Sequence, residues 1–173
     1  FYIALYYSLT NTFGNFNFSL NIAKLEKFKQ TAGNDFIKLI EAQESGVIPK
    51  ELSISGFSDL LKKDGSPEIQ ASIKFIWNKG SWGLGLFAKH IGEFYESRNR
   101  LSDGRLWKVK AYNTINGHVD YHFSLNSSNS RIRLGINNIA DERAPLASDI
   151  FGYYFDKHDN LGRYYYIDLS YKF

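Results

Sequence analysis

His118, Asp120 and His122 are the residues whose types and spacing come closest to a chemical site. In an extended strand, side chains two positions apart point to the same side, so two imidazoles and a carboxylate would share one face. Imidazole and carboxylate groups are common metal ligands, which makes a metal site one interpretation. The other interpretation is a row of polar residues that lines an aqueous surface. The choice depends on the element that carries the three residues.

Signals for catalysis are weak elsewhere in the chain. The sequence contains no cysteine, which removes thiol chemistry, disulfides and cysteine-based metal sites. His90 and His158 have no obvious partners in sequence. None of the familiar hydrolase, zinc-protease or phosphate-loop motifs occurs. We therefore predict that the chain is not an enzyme and has no catalytic residue.

Composition narrows the class of protein. The net charge is only +3 and the basic residues are scattered, so we predict no nucleic-acid partner. Aromatic residues make up 17% of the chain, yet the mean hydropathy is −0.35, so the apolar groups must be arranged in a pattern. No apolar run approaches the roughly 18 residues of a membrane-spanning helix. Any membrane embedding must therefore use strands.

Seven segments alternate between apolar and polar residues, which is typical of β-strands with one apolar face. The clearest is TINGHVDYHFSL, in which His118, Asp120 and His122 lie on the polar side. The segments cover roughly 1–9, 14–28, 67–77, 81–97, 113–125, 130–138 and 163–173.

Three pairs of segments predict hairpins whose apolar residues face each other across the sheet. Turns centred on about four residues each, at 10–13, 78–81 and 126–129, would place apolar residues opposite apolar ones. The predicted pairs nearest the turns are Tyr7 with Phe16, Trp77 with Trp82, and Phe123 with Ile132.

The connections alternate in length, with short turns at one edge and long loops at 29–66, 98–112 and 139–162 at the other. This asymmetry is the signature of an outer-membrane β-barrel, whose inward face is polar. The aromatic residues Trp77, Trp82, Tyr171 and Phe173 would then lie near the periplasmic edge. The row of His118, Asp120 and His122 would line the lumen, so we predict no metal and no cofactor. Helical spacing in NDFIKLIEAQESG predicts a short helix in the first long loop, and FSDLLKK (57–63) could add another turn.

The residues of LGINNIADERAPL and GYYFDKHDNLGRYYYIDLSYKF resemble the C-terminal end of TonB-dependent outer-membrane receptors. The matching positions are Asn138, Ile139, Asp141 and Pro145, then Gly152 and Tyr153, Gly162 and Arg163, and the terminal Phe173. The match is strongest over about 113–173. Ala140, where the family often has Phe, and a single Pro145 where it often has two are small departures.

This resemblance implies an all-β, antiparallel transmembrane β-barrel of 22 strands. Residues 1–173 would be the C-terminal portion of that barrel, about seven strands, without the plug domain. It implies a location in the outer membrane of a Gram-negative bacterium, in contact with outer-membrane lipid. The contact with the TonB complex would be made through an N-terminal region outside this sequence. The final strand resembles the signal by which the barrel-assembly machinery recognises its clients, carried by Tyr165, Ile167, Leu169, Tyr171 and Phe173.

The expected function is TonB-energised uptake of a scarce nutrient, most often a ferric siderophore or a similar bulky ligand in this family. A passive porin-like outer-membrane channel is the alternative, and an outer-membrane enzyme comes third. A soluble barrel or sandwich would have the same strand pattern with a dry core. Tyr153, Tyr154, Phe155 and Tyr164 to Tyr166 would meet at the outer rim, where they would grip a ligand or anchor the barrel in lipid.

Overall fold

The computed structural model describes residues 1–31, 33–49, 52, 58–125 and 128–171. Seven strands form one antiparallel sheet in which neighbours follow one another along the chain, and four short strands form two further pairs. The prediction of a mostly β, antiparallel protein is confirmed at this level. The elements are β1 (Tyr2–Asn11), β2 (Gly14–Lys24), β3 (Lys29–Gln30), α1 (Asn34–Glu44), β4 (Ser58–Asp59), β5 (Ile69–Lys79), β6 (Trp82–Ile91), β7 (Phe94–Arg100), β8 (Leu106–Val109), β9 (Tyr112–Leu125), β10 (Ser128–Asn137) and β11 (Tyr164–Tyr171).

The large sheet has the order β1-β2-β5-β6-β9-β10-β11, so β1 and β11 are its outer strands. Strands β1 and β2, β5 and β6, and β9 and β10 are joined at one end, which we call the short-turn end. The longer connections lie at the opposite end, which we call the loop end. The predicted alternation of short and long connections is therefore confirmed.

Each of the three predicted hairpin registers is wrong by two residues. Phe16 pairs with Leu9 and not with Tyr7, because β1 and β2 are joined by two residues. In the same way Lys79 pairs with Trp82. The third hairpin pairs Leu125 with Ser128, so Phe123 faces Ser130 instead of Ile132. A shift of two residues leaves every side chain on the same face, so the predicted faces survive the correction.

Local chemistry explains why the turns are shorter than predicted. Gly80 has a φ of +57°, the left-handed conformation that glycine supplies to two-residue hairpin turns. In the first hairpin, the Asn11 side-chain oxygen accepts a hydrogen bond from the Phe13 amide at 2.8 Å, and Gly14 has a φ of +127°. Asparagine and glycine are the residues that make such tight turns inexpensive.

The segment predicted as one strand over 81–97 is divided in two. Strand β6 ends at Ile91, and β7 leaves the large sheet to pair with β8. The break falls at Gly92, whose amide donates to the Ile69 carbonyl at 2.8 Å. A Cβ at Gly92 would lie 2.8 Å from the same carbonyl oxygen, so only glycine fits this crossing. The predicted loop at 98–112 accordingly contains the end of β7 and all of β8.

The first long connection contains the predicted helix, which the structure places at α1. The second predicted helical turn at 57–63 is wrong over the described residues 58–63, because positions 58 and 59 form β4 and pair with β3. Position 57 lies outside the described residues. Within the described part of the chain, no helix is long and apolar enough to cross a membrane.

Burial is concentrated at the loop end. The fully or nearly fully buried apolar side chains are Ile91, Phe94, Val109 and Tyr112, which we call the loop core. They come from the ends of β6 and β9 and from the β7–β8 pair. The large apolar residues of the sheet itself are mostly exposed. The fold therefore keeps a small dry core at the loop end and leaves an apolar sheet surface uncovered.

Candidate functional site

One face of the large sheet carries an unbroken row of apolar residues across all seven strands, which we call the apolar row. Each member is paired with the next through the strand registers. Leu134 and Ile167 in this row are 56% and 70% exposed. The row consists of Leu9, Phe16, Trp77, Leu84, Val119, Leu134 and Ile167.

The opposite face carries a parallel row one residue further along, which we call the polar row. It contains no apolar side chain, although it crosses the same strands at nearly the same height. The sheet thus separates an apolar surface from a polar one by the thickness of a single layer. The row consists of Thr10, Asn15, Asn78, Gly83, Asp120, Arg133 and Asp168.

The polar face is tied together by hydrogen bonds across strands. Asp120 is buried and accepts two hydrogen bonds from Arg133, at 2.6 Å from Nε and 2.9 Å from Nη2. Arg131 donates to Asp168 at 2.7 Å. On the same face, near the β1 edge of the sheet, Thr10 donates to the Asn15 side-chain oxygen at 2.9 Å. The polar face is therefore charged towards β9–β11 and neutral towards β1–β2.

The predicted row of His118, Asp120 and His122 lies on this polar face. His118 Nε2 is 3.7 Å from Asp120 Oδ2, but the carboxylate already receives both hydrogen bonds from Arg133. Over the described residues, no group of three potential ligands is arranged to hold a metal. The hydrogen bonds instead connect Asp120 of β9 to Arg133 of β10.

Two glycines let aromatic rings lie flat against the polar face. A Cβ at Gly85 would collide with the His118 ring, and one at Gly135 would collide with the Tyr166 ring. The paired glycine therefore determines where each ring sits. These contacts connect β6 to β9 and β10 to β11 in addition to the backbone ladder.

The proposed assembly signal lies on the last strand. Tyr165, Ile167, Leu169 and Tyr171 all belong to the apolar face, and Leu169 is 74% exposed. Phe173 lies outside the described residues. Recognition by the assembly machinery stays a prediction.

The short-turn end gathers the predicted aromatic girdle. Trp82 is 52% exposed and its ring lies 4.8 Å from that of Tyr121. The Trp77 indole donates to the Phe13 carbonyl at 2.9 Å, which fixes it over the first turn. Tyr171 ends β11 at the same edge.

The motif residues after β10 build a joint between the last two strands. The Asn138 backbone amide donates to the Asn116 side-chain oxygen at 2.8 Å. The Asn138 side chain donates to the Glu142 carbonyl at 2.7 Å and accepts from the Glu142 backbone amide at 2.9 Å. Asp141 accepts a hydrogen bond from the Arg163 amide at 2.8 Å, which pins the start of β11. Asn138 and Asp141 both have positive φ angles, 52° and 54°. Asparagine and aspartate tolerate that conformation best among residues with a side chain.

The predicted aromatic rim cluster does not form, because its members point in different directions. Tyr154 packs edge-on against Phe94 in the loop core, with ring centroids 4.9 Å apart. Phe155 remains exposed beside Phe151. Tyr165 and Tyr166 lie on opposite faces of β11 because they are adjacent in a strand.

Two carboxylates, the buried Glu96 and the exposed Asp64, connect the loops to the β7–β8 pair. Glu96 is 2% exposed and accepts hydrogen bonds from the Ser148 amide at 2.7 Å and from Asn99 at 2.8 Å. Asp64 accepts from the Ser97 amide and hydroxyl at 2.8 and 2.6 Å. Burial, together with the negative charges of Glu96 and Asp64, raises the pKa of Tyr154 to about 12.

Sequence reasoning missed this set of contacts and also left His158 and His90 without partners. His90 contacts Asn113 at 2.7 Å, and His158 packs into the loop core. The one available signal was Glu96, a charged residue within a segment assigned to a strand. Its partner Ser148 is 52 residues away, which no local pattern reveals.

Comparison with protein-family models, with curated proteins and with solved structures finds no match to this chain. The functional conclusion therefore rests on the residues and their arrangement.

Proposed function

We propose that this chain is the C-terminal portion of a 22-stranded transmembrane β-barrel in the outer membrane of a Gram-negative bacterium. The observation that carries the proposal is the apolar row, which crosses seven strands while the polar row occupies the other face. Lipid on one side and water on the other is the environment that such a sheet requires.

The strand lengths support a membrane-spanning role. The seven strands contain 8 to 14 residues, and about 9 to 11 residues cross a bilayer obliquely. The aromatic residues at the short-turn end correspond to an interfacial girdle at the periplasmic surface. The loop end would then face the outside of the cell.

The outer strands support membership in a larger sheet. Among the described residues, β1 and β11 each pair with one neighbour in the large sheet, which leaves one edge of each strand open. Open edges of this length are a liability in isolated proteins, and a barrel removes them by closure. We propose that the remaining strands of the barrel occupy both edges.

The proposed activity is uptake of a scarce, bulky nutrient, such as a ferric siderophore, with energy supplied through TonB. Its support is the resemblance of the residues from Asn138 to Arg163 to the C-terminal end of TonB-dependent receptors. The hydrogen bonds of Asn138 and Asp141 give those residues a physical task, because they fix the path from β10 to β11. The coupling to TonB would be made by a segment outside these residues.

Uptake of radioactive iron, supplied as ferric siderophores, tests this function in cells that produce the full chain. Cells that lack the gene and cells that lack TonB should both lose the uptake. In the cells that lack TonB, the protein should still be found in the outer-membrane fraction. Uptake that continues unchanged without TonB would contradict the proposal and favour a passive channel. Recovery of the chain in a soluble fraction would contradict the membrane assignment itself.

A further inference from the structure

We propose that His158 is an acid-sensitive latch, whose protonation releases the connection between β10 and β11 from the loop core. This inference goes beyond the proposed transport function and does not depend on it. It rests on the position of one histidine at the contact between that connection and the end of the sheet.

The His158 ring is enclosed by aromatic side chains. It is 3% exposed, lies parallel to the Phe94 ring with centroids 6.1 Å apart, and meets the Tyr112 ring edge-on at 5.2 Å. Its two ring nitrogens are buried and have no hydrogen-bond partner within the described structure. A neutral imidazole tolerates this site at some cost, but an imidazolium would carry two unpaired donors and a charge into it.

The charged groups around His158 add to this preference. Strand β6 presents Lys89 towards it, and the connection itself presents Lys157 and Asp156. Strands β7 and β9 present the uncharged Phe94 and the phenol of Tyr112. Burial lowers the pKa of His158 most, Lys89 and Lys157 lower it further, and Asp156 raises it. Lys157 and Asp156 form an ion pair at 2.8 Å, whereas Lys89 is in no ion pair within the described part of the chain.

The direction of the pH effect follows from this lowered pKa. Above the ordinary histidine pKa of 6.5, His158 is neutral whether the connection is docked or released, so docking does not depend on its protonation. Below pH 6.5, His158 is protonated in the released form but stays neutral in the docked form. The ratio of docked to released chain then falls by up to about tenfold per pH unit, until the pH reaches the lowered pKa of the docked form.

Release would change the polar face at the loop end. The Tyr112 hydroxyl, which donates to the Asp159 carbonyl at 2.6 Å, holds the connection one residue beyond His158. Lys157, Asp159 and Tyr164 line a cavity of about 210 Å³ that opens over the polar-face residues Thr114 and Asn116. Movement of this segment in mildly acidic medium would therefore uncover the polar face at the loop end of the sheet.

Hydrogen exchange on the full chain, in detergent or lipid, tests the latch directly. After correction for intrinsic rates, amides of 150–162 should open at least several-fold more often at pH 5.5 than at pH 7.5. A His158→Phe variant keeps an aromatic ring and should lose this pH dependence. The matched control His122→Gln removes an exposed histidine at the short-turn end and should keep it.

Titration of labelled histidines by NMR provides a second measurement, which needs no folded His158 variant. The His158 signal is assigned through the contacts of its ring with the Phe94 and Tyr112 rings, whose centroids lie 6.1 and 5.2 Å away. The latch requires this signal to remain neutral below pH 6.5 in the docked state. A His158 signal that titrates at or above 6.5, or equal pH dependence in His158→Phe and the natural chain, would overturn the proposal.

Discussion

The apolar face of the sheet and the loop core differ in how far their apolar side chains are buried. In the loop core, Phe94 and Ile91 are completely buried by the chain's own residues. On the apolar face, Ile167 and Leu169 are 70% and 74% exposed although they are just as apolar. Among the described residues, therefore, the buried apolar core lies where the loops meet. On the proposed function, lipid covers the apolar face of the sheet.

The largest contrast between the two regions is expected from shortening one apolar side chain in each. Phe94→Ala should cost about 3–5 kcal/mol of the stability of the loop end, because it empties a fully enclosed site. Leu134→Ala, on the apolar face, should change the stability of the loop end by less than about 0.5 kcal/mol. Hydrogen exchange of the loop-end amides measures both effects. Equal losses would mean that the two regions are not energetically distinct.

A charge placed on the apolar face should be nearly as costly. Ile73→Lys is expected to destabilise the folded chain in lipid by about 2–4 kcal/mol, because it puts an ammonium group into hydrocarbon. The natural chain already carries Lys74 at the next position, on the polar face. Lys74→Gln is therefore the matched control and should stay within about 0.5 kcal/mol. Denaturant unfolding in lipid vesicles gives both values, and a small cost for Ile73→Lys would argue for a water-exposed face.

On the polar face, breaking a buried ion pair should cost more stability than breaking an exposed one. Asp120→Asn should cost on the order of 1.5–3 kcal/mol, since it removes the charge that receives two hydrogen bonds from Arg133. The more exposed pair of Arg131 and Asp168 provides the control, and Asp168→Asn should cost less than about 1 kcal/mol. Unfolding of Asp120→Asn, of Arg133→Gln and of the double variant gives the coupling energy between Asp120 and Arg133. Unfolding of Asp168→Asn gives the cost for the exposed pair. Similar costs for the two pairs would show that burial does not set their strength.

The attachment of the loops should give the smallest effect. In Glu96→Gln, one oxygen can still accept from Ser148, but the new amide group meets the amide donor of Asn99. We expect a loss of about 1–2 kcal/mol, seen as faster exchange of the Ser148 amide. Glu93→Gln is the control, because Glu93 forms an exposed ion pair with Lys108, and it should change exchange little. Unaltered exchange at Ser148 in Glu96→Gln would remove Glu96 from the attachment.

The faces of the sheet could be predicted from sequence because alternation is a local property. The alternation in TINGHVDYHFSL predicts that His118, Asp120 and His122 share the polar side, and the strand registers agree. The registers were wrong because they depend on turn length, and Asn11 and Gly80 make two-residue turns where four were expected. The two-residue error preserved the faces, which is why the larger pattern was correct in spite of it.

The loop core could not be predicted because its contacts join distant parts of the chain. Phe94 and His158 are separated by 64 positions, and each lies in a segment whose local pattern suggested something else. The alternation predicts Phe94 within one strand over 81–97, whereas that strand ends at the close approach of Gly92 to Ile69. Sequence proximity groups the tyrosines in and after the third long connection, whereas Tyr154 packs against Phe94 in the loop core, apart from its neighbours.

Accessibility along β5 tests the central claim most directly. Residues 1–173 contain no cysteine, so single cysteines introduced at 70–78 can carry spin labels in the full chain reconstituted in lipid vesicles, once any cysteine outside these residues is replaced by serine. We predict that oxygen, which concentrates in lipid, relaxes labels at Ile73 and Phe75, while a water-soluble nickel chelate relaxes labels at Ser72 and Lys74. Oxygen access at odd positions and nickel-chelate access at even positions would support an apolar face in lipid. Equal access of the nickel chelate to both sets would contradict it.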